Sequence, residues 1–215
     1  LCGAAVLWWK GRPRWAGVVL AGGLSTRLGQ DKAALRLTPQ APDLLARTHA
    51  LLCTLLPCCW VSCRAECPRP GYDCVWDAVS GQGPLGGVAA ALTRARDAGF
   101  AAVLALSCDL PFMDAATLTA LLDARQAAPP QTVLTCYAQA ATGRLETLAA
   151  VYEIAALPFL SARSVSGGAL HRRIPAHCRH VLPYGPEAAR PFFNLNSPQD
   201  LAAARAMLPA AAFRH

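Results

Sequence analysis

Short apolar runs that end abruptly in polar or glycine-rich breaks alternate along this chain with stretches whose apolar residues recur at helical spacing. Ala16-Gly17-Val18-Val19-Leu20 stops at Gly22-Gly23, the pattern of a buried strand entering a loop. Asp43 is placed to cap a helix carrying Leu44, Leu45, Leu51, Leu52 and Leu55, which ends before Pro57. Strands are expected near Trp60-Val61-Ser62 and at Cys74-Val75-Trp76. Gly83-Pro84-Leu85-Gly86-Gly87 predicts a turn, after which an alanine-rich helix runs to Gly99. Ala101 to Leu106 is the most strand-like run of all, closed by the polar Ser107-Cys108-Asp109. Asp114 then caps a helix with Leu118, Leu121 and Leu122 on one face, and further strands are expected at Val133 to Tyr137 and Leu148 to Tyr152. The last helix opens with a capping Ser197, Pro198 at its first position and Asp200 in its first turn. Strands separated by helices in this way predict an α/β fold with a mostly parallel sheet and right-handed crossovers.

Composition narrows the class. With 215 residues, 54% of them hydrophobic and 15% charged, the chain has enough apolar surface for one packed core. One domain is therefore expected over residues 16–208, with residues 1–15 a loosely ordered N-terminal extension. The apolar Ala4-Ala5-Val6-Leu7-Trp8-Trp9 is too short to span a bilayer and lacks the flanks of a signal peptide, so a cytoplasmic protein with no membrane role is expected. The net charge of +7 comes from basic residues scattered singly, which fits a small polyanionic substrate better than nucleic acid. Cys53, Cys58, Cys59, Cys63, Cys67 and Cys74 are crowded together, but no two have the C-x-x-C spacing of a zinc or iron–sulfur site. They read as reduced, mostly buried thiols. His177 and His180 around Cys178 read as a surface turn.

In sheets of this kind ligands bind beyond the carboxyl ends of the strands, so three of the breaks are candidate site segments. The first runs from Leu20, Ala21, Gly22 and Gly23 through Ser25 and Arg27 to Lys32. Its glycines let backbone amides approach an oxyanion, Ser25 adds a hydroxyl, and Arg27 and Lys32 bring positive charge. The spacing matches neither the Walker A loop nor the dinucleotide fingerprint. The second break is Asp109, a carboxylate at the end of a buried strand, which suits Mg²⁺; Asp77 follows another strand and faces the same rim. The third is Asn194-Leu195-Asn196, where alternation would point both asparagines at one ligand; plain turn chemistry before a helix explains these residues equally well.

Together these segments resemble the molybdenum cofactor guanylyltransferases. The residues that carry the resemblance are Leu20-Ala21-Gly22-Gly23-x-Ser25-x-Arg27-x-Gly29-x-Asp31-Lys32, Gly83-Pro84-Leu85-Gly86-Gly87, Cys108-Asp109-Leu110-Pro111-Phe112 and Phe193-Asn194-Leu195-Asn196-Ser197-Pro198-Gln199-Asp200-Leu201. The resemblance implies a Rossmann-like three-layer sandwich and transfer of GMP from GTP to the terminal phosphate of molybdopterin, with Mg²⁺ as cofactor. By the same resemblance Arg27, Lys32 and Asp109 are catalytic, with Asp109 holding Mg²⁺. The nucleotide would lie against Leu20, Ala21, Gly22, Gly23, Ser25, Lys32, Ser62, Asp77, Gly83, Pro84, Leu85 and Asp109, and molybdopterin against Asn194 and Asn196. Implied partners are GTP and molybdopterin as substrates, with transient contact to molybdoenzymes or their chaperones. Two departures stand out: Ser62 occupies a position where the family often has an asparagine near the guanine, and Glu146-Thr147-Leu148 lacks the proline of a family Glu-Pro-Leu segment. Base choice therefore stays open: the alternatives are a CTP-dependent cytidylyltransferase acting on molybdopterin or another phosphorylated metabolite, and a non-catalytic carrier of the finished cofactor.

Overall fold

The computed structural model describes residues 14–22, 31–76, 83–161 and 170–208. Strand β1 (Trp15–Leu20) is buried at every position, as a strand covered on both faces must be. Helix α1 (Leu44–Leu55) starts where Asp43 accepts a hydrogen bond from Ala46 N, and β2 (Cys59–Cys63) and β3 (Cys74–Trp76) follow. Helix α2 (Pro84–Asp97), β4 (Ala102–Ser107) and α3 (Ala115–Ala127, capped by Asp114) form the middle of the chain. Strands β5 (Leu134–Gln139) and β6 (Leu145–Glu153), short helices α4 (Leu157–Ser161) and α5 (Leu170–Arg173), strand β7 (Arg179–Tyr184) and helix α6 (Pro198–Ala206) complete it.

The strands form one seven-stranded sheet in the order β3-β2-β1-β4-β6-β5-β7. Only β6 runs against its neighbours, pairing antiparallel with both β4 and β5, while the other pairings are parallel. Period-two alternation divides the side chains between two cores. Trp15, Val19, Leu104 and Leu106 face one core together with Leu45, Leu52, Leu118 and Leu121 of α1 and α3. Ala16, Val18, Val103 and Ala105 face the other with Val88, Ala91, Leu92 and Ala95 of α2. The helix–sheet–helix layering is thus written in which residues of β1 and β4 point which way. The expected Rossmann-like three-layer sandwich with a mostly parallel sheet is what the chain forms.

Four sequence expectations need correction. The segment Gly83–Gly87 is a turn only at Gly83, whose φ of 58° is in the left-handed region; from Pro84 it is already helix. His177 lies in a 3₁₀ turn, but His180 belongs to edge strand β7 and pairs with Thr135, so the expected surface turn is half sheet. Pro183 obscured that strand, and an edge position tolerates it because one row of amides needs no sheet partner. Strand β6 begins at Leu145, three residues earlier than expected, because it forms a hairpin with β5. Lastly, the crowded cysteines are free but not mostly buried: Cys63 is buried, Cys58, Cys59, Cys67 and Cys74 are half-buried, and Cys53 is exposed. Cys59 and Cys63 lie on β2 and Cys74 on the edge strand β3. Among the described residues no helix is long and apolar enough to cross a membrane.

Candidate active site

The parallel strands β1, β2, β4, β5 and β7 all end at one rim, and antiparallel β6 begins there. At this rim Ala21 N donates to Ser62 O (3.1 Å) and Cys108 N to Leu20 O (3.4 Å), so the exits of β1, β2 and β4 are tied together. Beyond Gly22 the chain re-enters the described residues at Asp31. The Asp31 carboxylate accepts from Ala33 N (3.1 Å) and so caps a 3₁₀ turn, Lys32–Ala34. That turn presents Lys32, whose Nζ donates to Asp109 Oδ2 at 3.3 Å and to Asn196 Oδ1 at 3.0 Å. Three segments separated by up to 164 positions in the chain therefore meet at one ammonium group.

The asparagine segment is seated from both ends. Leu195 N donates to Asp109 O (2.9 Å), and the Leu195 side chain, fully buried, packs with Leu35, Leu37, Leu44 and Ala204. Asp200 Oδ2 accepts from Asn196 N (2.9 Å) and Ser197 N (2.8 Å) in a capping box that starts α6. The Ser197 hydroxyl, which donates to the same oxygen (2.8 Å), and then these backbone bonds hold the Asp200 carboxyl below the usual carboxylate range. With Leu195 turned inward, alternation directs Asn194 and Asn196 the other way.

Among the described residues, two acceptors at this junction are buried and meet no donor: Asp109 Oδ1 and Asn194 Oδ1. Buried unpaired acceptors are costly and call for a donor or a cation. A carboxylate oxygen is also the hard ligand that Mg²⁺ prefers, so the unpartnered Asp109 Oδ1 fits that ion. Next to Asp109, burial and its negative charge push the Cys108 thiol up to about 12, which keeps it neutral and unsuited to act as a nucleophile.

Of the remaining residues singled out from the sequence, Leu20 and Ala21 are buried at the exit of β1 and Gly22 is half-buried. Gly83 caps α2 without a side chain, Pro84 is its first residue, and Leu85 is buried behind it. Ser62 is 2% exposed, and a Cβ on Gly87 would lie 2.3 Å from its Oγ, so the first turns of α2 rest directly on β2. Gly23, Ser25, Arg27 and Asp77 lie outside the described residues.

Two further residues at the rim are not among the site residues expected from the sequence, although Glu146 lies in the segment that resembles the family's Glu-Pro-Leu. Arg69, from the loop between β2 and β3, grips the Asp31 carboxylate with both Nη atoms (Nη2 to Oδ1 is 2.9 Å) and also reaches Ala21 O at 3.4 Å. That pairing lowers the pKa of Asp31 and raises that of Arg69. Glu146, at the start of β6, accepts from Tyr184 Oη (2.6 Å) and Arg144 Nη2 (2.9 Å). Burial and the neighbouring Glu146 push the Tyr184 phenol up to about 12. A proline-flanked arginine in a loop gives no periodic signal, and Glu146 faces this rim only because β6 runs antiparallel.

Comparison with known proteins shows the family to which the chain belongs. Residues 17–184 match the family described as the MobA-like NTP transferase domain. The chain is 34% identical over 212 residues to a molybdenum cofactor guanylyltransferase of Rhizobium leguminosarum, covering 93% of this chain and 96% of that one. It is 30% identical over 204 residues to the enzyme of the same name from Rhodobacter capsulatus, covering 89% and 95%. Among solved structures, the molybdopterin-guanine dinucleotide biosynthesis protein A of Archaeoglobus fulgidus superposes with a TM-score of 0.68 at 22% identity, covering 89% of this chain and 97% of that one. The 2-C-methyl-D-erythritol 4-phosphate cytidylyltransferase of Thermus thermophilus superposes with a TM-score of 0.61 at 20% identity, covering 89% and 97%. These two structural likenesses speak to the fold, whereas the family match spans most of the chain. On that match, the chain belongs to the MobA-like NTP transferase family of nucleotidyltransferases.

Proposed function

We propose that this protein transfers GMP from GTP to the terminal phosphate of molybdopterin, releasing pyrophosphate and forming a guanine dinucleotide cofactor. The observation that carries the proposal is the convergence of Lys32, Asp109 and Asn196 at the strand rim, beside the unpartnered Asp109 Oδ1 and Asn194 Oδ1. Relatives that align over about nine-tenths of the chain are named molybdenum cofactor guanylyltransferases, which supports GTP and molybdopterin as the substrates. An oxygen of the molybdopterin phosphate attacks the α-phosphorus of GTP, and the bond from that phosphorus to the bridging β-phosphate oxygen breaks. Such a transfer needs alignment and charge compensation but no covalent enzyme intermediate. The neutral Cys108 beside the site is in keeping with that.

Within this reading Lys32 compensates charge on the triphosphate, together with Arg27 from the glycine-rich segment. The open first turn of α2 at Gly83 and Pro84 offers the positive end of a helix dipole to the same phosphates. Asp109 would hold Mg²⁺ through its free oxygen, and the bound ion supplies further neutralisation of the triphosphate. Asn194 and Asn196 are assigned to the molybdopterin side. The deciding experiment incubates the protein with molybdopterin, MgCl₂ and GTP, CTP, ATP or UTP in turn, and identifies the product by mass spectrometry. A guanine dinucleotide formed with GTP is expected. A cytosine dinucleotide, or no dinucleotide with any of the four, would overturn the proposal.

A further inference from the structure

We propose that Arg69 is a positioning residue that ties together the two ends of the glycine-rich segment and thereby sets Lys32 for the transfer reaction. Its catalytic consequence rests on the nucleotidyl-transfer reading above; the tie itself does not. Strand β1 ends just before Ala21, Asp31 caps the turn that carries Lys32, and the Arg69 guanidinium bonds to both residues. Its Nη2 donates to Ala21 O (3.4 Å) and to Asp31 Oδ1 (2.9 Å), while Nη1 donates to Asp31 Oδ2. Two parallel N–H···O bonds match the planar carboxylate in a way a lysine ammonium cannot reproduce. The Arg69 side chain is only 14% exposed while Asp31 is 39% exposed, so the guanidinium is the sheltered half of a bidentate pair at the rim.

The connection to Lys32 is one residue long. Asp31 Oδ1, already held by Arg69, also accepts from Ala33 N (3.1 Å), and that bond caps the turn whose first residue is Lys32. Leu35 N closes the same turn on Lys32 O (3.1 Å). Fix the carboxylate, and the lysine's backbone is fixed with it. The brace is itself stiffened. Pro68 and Pro70 flank Arg69, which restricts the backbone on either side, and the Cys74 thiol donates to Arg69 O at 3.6 Å.

The test compares Arg69→Gln, Arg69→Lys, Asp31→Asn and the Arg69→Gln/Asp31→Asn double variant, with Arg96→Gln as a control that removes an exposed ion pair elsewhere. Asn keeps a capping oxygen for Ala33 N at position 31 but loses the charge. Two readouts are taken: steady-state kinetics with GTP varied, and amide hydrogen exchange of peptides spanning residues 21–35 in the substrate-free protein. For Arg69→Gln, kcat is expected to fall about 10- to 100-fold, a loss in the range set by an ångström-scale misplacement. KM for GTP should move less than kcat, and exchange over residues 21–35 should rise about tenfold or more. Arg69→Lys should recover only a small part, the double variant should be no worse than Arg69→Gln, and Arg96→Gln should change neither readout. Unchanged exchange over residues 21–35 in Arg69→Gln, or losses that add in the double variant, would overturn the proposal. If the wild-type protein makes no dinucleotide, the functional reading fails, and hydrogen exchange alone still decides whether Arg69 ties the segment. If Arg69→Gln does not fold, Arg69→Lys and Asp31→Asn carry the same comparison.

Discussion

Truncating Leu195 to alanine tests whether packing beneath the candidate site holds its polar groups in place. Leu195 is fully buried in a small cluster with Leu35, Leu37, Leu44 and Ala204, apart from the two main cores. Buried Leu→Ala changes remove the transfer free energy of the lost atoms and leave a cavity, together costing about 2–5 kcal/mol. A peripheral cluster can partly collapse, so a loss near about 3 kcal/mol is expected. For a chain of this length that lowers Tm by roughly 6–12 °C, taking about 2–4 °C per kcal/mol. The functional effect should exceed what unfolding explains. Leu195 N is bonded to Asp109 O, and its neighbour Asn196 accepts from Lys32, so a repacked residue 195 displaces both groups. The assay is urea unfolding together with turnover at a temperature where the variant is still folded. Leu195→Met, which keeps the volume, should cost less than about 1.5 kcal/mol and retain most activity. Normal turnover per folded molecule in Leu195→Ala would refute the idea that this leucine seats the asparagine segment.

Other expectations follow from single observations. Gly→Ala inside a helix ordinarily stabilises by about 1 kcal/mol, but Gly87→Ala should destabilise by about 1–3 kcal/mol because its Cβ would stand 2.3 Å from Ser62 Oγ and 3.2 Å from Leu20 Cδ2. Adding Ser62→Ala should return part of that loss, as read by denaturant midpoint. Asp109→Asn should abolish nearly all turnover, by a factor of about 10² or more, while leaving Tm unchanged or raised, since it replaces a carboxylate whose Oδ1 has no donor; a drop of several degrees would refute this. Lys32→Ala should lose activity by a similar factor with the fold intact by circular dichroism. Asp31 has its pKa lowered in the folded state, first by its bond from Arg69, so it favours folding above its ordinary value of 3.8 and loses that contribution as pH falls through its folded value. Acid titration of stability should accordingly be shallower in Arg69→Gln than in wild type below about pH 4; identical acid profiles would count against the pairing.

The sequence alone made legible whatever depends on local order. Alternating apolar runs in β1 and β4, the caps Asp43, Asp114 and Ser197, and the breaks after Leu20 and Ser107 all correspond to features of the fold. The reason is that strand burial, helix capping and turn formation are settled by residues within a few positions of each other. Asp109, Asn194 and Asn196 could be singled out as polar residues close to where apolar runs stop, and Lys32 as a positive charge in the glycine-rich segment. Only the tertiary structure decided the rest. The direction of β6, the strand character of 179–184 behind Pro183, and the uneven burial of the cysteines depend on which strand becomes a neighbour and which becomes an edge. Likewise, no spacing rule joins Arg69 to Asp31 or Lys32 to Asn196, because those pairs are made by the sheet bringing its rim together across 38 and 164 positions. A chain's periodicity records which face of each element is covered; what meets at the end of a strand is fixed only when the strands are ordered.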